Sequence, residues 1–154
     1  MKIYIASSWK NTKECKEIAA AFRKDGHAVD CFCDESSGRY VFHWKELVKE
    51  EADLQQFNAI TILQEEKTQK AFKEDKKYLD WADAVLLVLP AGNSAHLEAG
   101  YGKGKGKRLF IYGPFPKGEF DVMYGFADGL HAWGQMDLLR VALLECGEKI
   151  GKGV

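Results

Sequence analysis

Residues 84–89 read Ala84-Val85-Leu86-Leu87-Val88-Leu89, and the run closes on Pro90-Ala91-Gly92-Asn93. A strand with one wet face alternates apolar and polar side chains, whereas a continuous apolar run is the pattern of a central parallel strand covered on both faces. Parallel neighbours need crossover connections, so helices must lie on either side of this strand. The flanking sequence supplies them. Downstream, a helix is predicted from about Ser94 to Gly102, a fourth strand over Lys107–Tyr112, a short fifth around His131–Trp133, and an amphipathic helix over Gln135–Glu148. Upstream lies a long, charged, mostly helical stretch from about Lys45 to Ala82, broken near Asn58, whose many Lys and Glu side chains read as a solvated face. Before it come a strand over Ala28–Cys33 and a helix over Thr12–Lys24. That helix carries Cys15, Ile18, Ala19 and Phe22 at helical spacing and stops at Asp25-Gly26. Lys2–Ala6 is the first strand. Strand and helix alternate throughout, with no internal repeat and no Pro-, Gly- or Ser-rich linker. The expectation is a single α/β domain over residues 1–154: a doubly wound, flavodoxin-like, five-stranded parallel sheet in three α/β/α layers.

Composition narrows the class. The 154 residues carry a formal charge of -1, with 46% hydrophobic and 29% charged residues, an ordinary globular balance. A duplex-binding protein is usually more basic, so no nucleic-acid polymer is expected as partner. No apolar run approaches the ~20 residues that span a bilayer, and no membrane partner is expected. The start Met1-Lys2-Ile3-Tyr4-Ile5 enters a strand without an apolar leader segment, so Cys15, Cys31, Cys33 and Cys146 are expected as free thiols in the cytoplasm. Cys31 and Cys33 point to one face of their strand, and no second Cys/His pair stands at ligand spacing, so no metal is expected.

In doubly wound sheets ligands bind beyond the carboxyl ends of the strands, where strand order reverses. The first and third strands should flank that point, and their loops are Ser7–Asn11 and Pro90–Ser94. Gly92, Asn93 and Ser94 stand at a helix mouth, where free N–H groups and the positive dipole end suit an anion. With Ser94 as cap, a capping-box glutamate belongs at 97, which is Leu, so Glu98 is free of that role. The i,i+4 spacing instead puts Glu98 on the same face as Ser94, near that anion-binding mouth; a carboxylate next to a bound anion costs electrostatic energy, and such unfavourable pairs concentrate at functional sites. Such a glutamate can attack an anomeric carbon and hold the sugar as an ester while a second acid assists the leaving group. Asp75, Asp80 and Asp83 precede the central strand. Asp83 reads as the helix–strand junction, whereas Asp75 lies two turns earlier, where spacing alone leaves its direction open. His96 and the cations Lys103, Lys105, Lys107 and Arg108 read as structural, and Trp9, Phe42 and Trp44 as either stacking surface or packing.

At these residues the chain resembles the nucleoside 2-deoxyribosyltransferases and the related N-glycosidases of deoxynucleoside 5'-monophosphates. Ile3-Tyr4-Ile5-Ala6-Ser7-Ser8-Trp9 is similar to the family's first strand and loop, and the resemblance gives Tyr4 the task of steadying the nucleophile. Asp75, followed after a short gap by Ala82-Asp83 and the apolar strand, resembles the family's acid. Gly92–Gly100 resembles the loop and helix that carry the nucleophilic glutamate, which is Glu98. Asp121-Val122-Met123-Tyr124 and Trp133-Gly134 resemble the segment that reaches a neighbouring subunit's pocket, implying a homodimer or larger homo-oligomer. The implied site is catalytic Glu98, Tyr4 and Asp75, with Ser7, Ser8, Trp9, Gly92, Asn93, Ser94 and Met123 against a nucleoside or nucleotide. No cofactor is implied, because the glutamate supplies the nucleophile.

The glutamate loop and the first loop match neither the transferases nor the monophosphate hydrolases cleanly, so acceptor and substrate stay open. Two further readings stand beside this one: a TIR-like N-glycosidase acting on NAD, by fold-level analogy, and a non-catalytic nucleotide sensor that kept the pocket.

Overall fold

All five residues of the strand Ala84–Val88 are buried, as a centre strand requires. The computed structural model describes residues 1–151. In chain order these contain β1 (Lys2–Ala6), α1 (Thr12–Lys24), β2 (Ala28–Cys31), α2 (Ala59–Ile62), α3 (Glu66–Trp81), β3 (Ala84–Val88), α4 (Asn93–Gly104), β4 (Arg108–Gly113), β5 (Gly129–Ala132) and α5 (Met136–Gly151). The strands form one sheet, all parallel, in the order β2-β1-β3-β4-β5. Strand order reverses between β1 and β3, where the sequence placed the switch point.

Alternation along the strands sorts side chains between two cores. Ile3, Ile5, Leu86, Val88 and Phe110 face α1 and α5, packing on Cys15, Ile18, Phe22, Leu139 and Leu143. Tyr4, Ala6, Val85, Leu87, Leu109 and Ile111 face the other way, onto Leu79 of α3 and Ala95 and Ala99 of α4. The inner stripe of α4 is made of small residues, Ala95, Ala99 and Gly102, all buried. They let the helix settle close to the sheet. A Cβ on Gly102 would stand 2.5 Å from Val85 Cγ2, so glycine is needed there for close approach. That proximity brings the side chain of Glu98, beside the small stripe, within reach of β1.

Three details differ from the sequence expectation. The stretch predicted as mostly helical over 45–82 does break at Asn58, whose side chain accepts from the backbone of Ile60 and Thr61 at 2.8 and 3.0 Å and caps α2. Only α3 within it is a long helix, however; short 3-10 turns occupy Trp44–Glu46 and Glu51–Gln56. The strand predicted to run to Cys33 ends at Cys31, because Asp34 N–H turns back to Cys31 O at 3.0 Å. Finally, α4 starts one residue before Ser94, with Gly92 as its cap. Glu98 therefore sits in the second turn of the helix.

Candidate active site

Tyr4 is wholly buried in the middle of β1, and its register neighbours are Asp30 on β2 and Val85 on β3. Its hydroxyl donates to Glu98 Oε1 at 3.0 Å, across 94 positions of sequence. The neighbourhood is acidic. Asp30 is buried on the same sheet face as Tyr4, and Arg39 reaches it from the loop after β2, with Nη1 donating to Asp30 Oδ2 at 2.5 Å. The other end of the guanidinium, Nη2, donates to Asp75 Oδ1 on α3. The Tyr78 ring, one turn further along α3, stands 5.2 Å from the guanidinium carbon. Gly38, with φ 76°, supplies the left-handed turn that aims Arg39 inward.

The electrostatics follow from this crowding. Burial pushes the Glu98 carboxyl from its ordinary 4.5 up to about 7; the Asp75 charge adds to the rise, while the Tyr4 hydrogen bond and the Arg39 charge oppose it. Burial also raises Asp75, against the pull of Arg39. Asp30 is lifted by burial to about 6, again against Arg39. Tyr4 is held well above the usual phenol range, by burial first and then by the charge of Glu98. A carboxyl so placed exchanges its proton near neutral pH. Because Tyr4 donates to the ionised form, Tyr4→Phe should raise the Glu98 midpoint by about one unit, since hydrogen bonds to charged groups are worth ~1.5–3 kcal/mol. Carboxyl-carbon NMR titration measures it.

The remaining predicted residues divide. The Ser7 hydroxyl donates to Val88 O at 2.8 Å and accepts from Asn11 Nδ2, which also reaches Pro90 O, so Ser7 and Asn11 brace the two switch-point loops together. Ser8 caps the short turn at Trp9–Asn11. Trp9 is half exposed and lies edge-on to Phe32, while Phe42 packs on Trp44. Gly92, Asn93 and Ser94 are exposed at the mouth of α4, and Met123 is exposed in the segment between β4 and β5. His96 bonds Gly92 O and the Tyr124 hydroxyl. Asp83 accepts from Lys2 N–H at the helix–strand junction. Lys103 and Arg108 pair with Asp128, and Lys107 reaches the carbonyls of Asp80 and Ala82, all structural uses.

Asp30 and Arg39 escaped the sequence reading. The available signal was a carboxylate between Val29 and Cys31 in a buried strand, a position that demands a cationic partner. Two open clefts include neither Glu98 nor Asp75 in their lining. One, of about 440 Å³, lies on the α1/α5 side among Asn11, Ile18, Tyr112 and Trp133. The other, of about 270 Å³, lies between Pro90, Ala91, His96 and the aromatic residues Phe115, Phe120 and Tyr124. The second is lined by His96, which stands two residues before Glu98 on α4 and so on a different face of that helix. The perturbed carboxyls and the Tyr4–Glu98 contact belong to the cluster and to neither cleft.

No protein-family model and no curated protein matches the sequence. Solved structures do match. The CMP N-glycosidase BcmB of Clostridium botulinum superposes with a TM-score of 0.55 at 11% identity, over 93% of this chain and 98% of that one. A 2-deoxyribosyltransferase of Bacillus psychrosaccharolyticus superposes with a TM-score of 0.54 at 19% identity, over 91% and 90%. The chain therefore has the doubly wound, flavodoxin-like fold of this N-glycosidase and this 2-deoxyribosyltransferase.

Proposed function

We propose that this protein cleaves or transfers the N-glycosidic bond of a (deoxy)nucleoside or nucleoside 5'-monophosphate, with Glu98 as nucleophile. The observation that carries the reading is the Tyr4–Glu98 hydrogen bond at the switch point of the sheet, with the carboxyl of Asp75 close enough to raise the pKa of Glu98. In this reading an ionised Glu98 oxygen attacks the anomeric carbon as the bond to the base nitrogen breaks, and the electron pair leaves with the base. Asp75 contacts the departing base or sugar. Water, or the nitrogen of an acceptor base, then attacks the glycosyl ester and frees Glu98. The two structural neighbours, a CMP N-glycosidase and a 2-deoxyribosyltransferase by name, correspond to these two fates and support the bond type. The exposed helix mouth at Gly92, Asn93 and Ser94 and the loop Ser7, Ser8, Trp9 are the assigned substrate walls.

The test incubates wild type and Glu98→Ala with nucleosides, their 5'-monophosphates and NAD, each with and without acceptor bases, and separates products by chromatography. Release of free base without acceptor identifies a hydrolase, and new nucleoside formed only with acceptor identifies a transferase. Release of nicotinamide from NAD alone would move the assignment to the TIR-like reading. Binding of a nucleotide with no turnover of any substrate would leave a sensor.

We also propose self-association through the segment between β4 and β5. Phe120, Val122, Met123 and Phe126 are exposed there within seven positions, and clustered exposed apolar side chains mark interaction surfaces. Light scattering after size exclusion should report a dimer or larger assembly. Val122→Asp combined with Phe126→Asp should convert it to monomer and lower turnover by about tenfold, if Met123 of one subunit completes the pocket of the next.

A further inference from the structure

Arg39 is the cation at the centre of an acidic site, and the proposed chemistry has given it no part. Its side chain is 2% exposed, as is that of Asp30, whereas the Asp75 side chain is 36% exposed. The guanidinium is thus anchored at its buried end and engages the more open carboxylate at the other. It takes only one oxygen of Asp75, Oδ1, and leaves Oδ2 without a protein partner among the described residues. A planar fork bridging two carboxylates fixes direction as well as charge, which a flexible ammonium does not. The Tyr78 ring beside the guanidinium carbon restricts its plane further. A buried ion pair of this kind is weak evidence for stability, because apolar residues of the same volume often serve as well. It is better explained by what it orients.

We propose that Arg39 is the positioning residue of this site, tying Asp75 Oδ1 to the buried Asp30 so that Asp75 Oδ2 is presented to the substrate beside Glu98. This rests on the glycosidic reading for its consequence, but not for its geometry. The charged and titratable groups that face the bridge are Tyr4 from β1, Asp30 from β2, Glu74 and Asp75 from α3, Glu98 from α4 and, more distantly, Arg23 from α1. Among them Arg39 pulls the Asp75 and Glu98 carboxyls toward ionisation, and Glu74 and Asp30 push the other way.

Removing Arg39 alone would strand the Asp30 charge, so the comparison is made in an Asp30→Asn background, with Asp30→Asn against Asp30→Asn/Arg39→Met and Asp30→Asn/Arg39→Lys. Three-bond couplings across Asp75 χ1 should report one rotamer in Asp30→Asn and rotamer averaging in both double variants. Carboxyl-carbon titration should show the Asp75 and Glu98 midpoints rising by about one unit or more with Met, and much less with Lys, which keeps the charge. On whichever nucleoside or nucleotide the wild type turns over, both double variants should lose about tenfold or more in kcat with little change in KM. An unaveraged Asp75 and unmoved midpoints in the Met variant would overturn the proposal. A wild type that turns over nothing would sink the glycosidic reading while the NMR arms still decide the role of Arg39.

Discussion

Glu98→Gln is expected to lower glycosidic turnover by at least about 10³-fold, the scale of removing a covalent nucleophile, and at the same time to make the protein more stable at alkaline pH. The two effects share one cause. Burial lifts the Glu98 carboxyl to about 7 in the folded chain, against 4.5 in an unperturbed one. A raised folded-state pKa means that the native protein holds a proton the unfolded chain would release. The associated stability is fully present below about pH 4.5 and is lost as pH rises through about 7, on the order of 3 kcal/mol at pH 8. Glutamine keeps an oxygen for the Tyr4 hydroxyl and has no charge to bury. Urea unfolding should therefore give wild type and Glu98→Gln similar stabilities at pH 4.5 and a clear advantage to the variant at pH 8. Equal stabilities at both values would mean that Glu98 is solvated like a surface acid, and its claim to be the reactive group would fall with that result. Turnover by the wild type should rise with pH along a limb centred near 7, as the carboxylate forms.

The sheet and the site were unequally legible, because local pattern writes the first and long-range contacts make the second. The sheet is written in local pattern: β3 is an unbroken apolar run, and α1 places Cys15, Ile18, Ala19 and Phe22 on one buried stripe. These elements satisfy propensity, periodicity and packing together, and they were found within a residue or two of their observed ends. Tyr4 and Glu98 were reachable as well, but for opposite reasons. Spacing flagged Glu98 as misplaced for a cap, even though the true cap proved to be Gly92, and Tyr4 came only through resemblance to a family. Its contact with Glu98 joins β1 to α4, and nothing local to either segment announces it. The stretch from Ser36 to Phe57 was the least legible. Its 3-10 turns are held by side-chain bonds, Asp34 accepting from Ser36 N–H and Glu46 accepting from His43 N–H, rather than by an apolar stripe, so no period emerges. Arg39 lies in that stretch. An arginine following Ser36-Ser37-Gly38 looks like any solvent-facing loop cation until the strand register brings Asp30 beneath it.

That register predicts the largest change in stability. Arg39→Met should cost about 3–5 kcal/mol, because it leaves the Asp30 carboxylate buried without a cation. The cost should depend on pH in a defined direction. Burial already lifts Asp30 to about 6 in the presence of Arg39, and removing the guanidinium lifts it further. The variant can shed much of the penalty by protonating Asp30 at pH 5 but not at pH 8, so its deficit against wild type should widen as pH rises through that interval. Asp30→Asn/Arg39→Met removes both charges and should recover most of the loss, to within about 1 kcal/mol of wild type, leaving a coupling of several kcal/mol in the double-mutant cycle. Denaturant titrations of the four proteins at the two pH values measure all of this without reference to substrate. A pair whose losses simply add would mean that Arg39 and Asp30 stabilise the chain independently, and the bridge from β2 to α3 would then have no energetic standing.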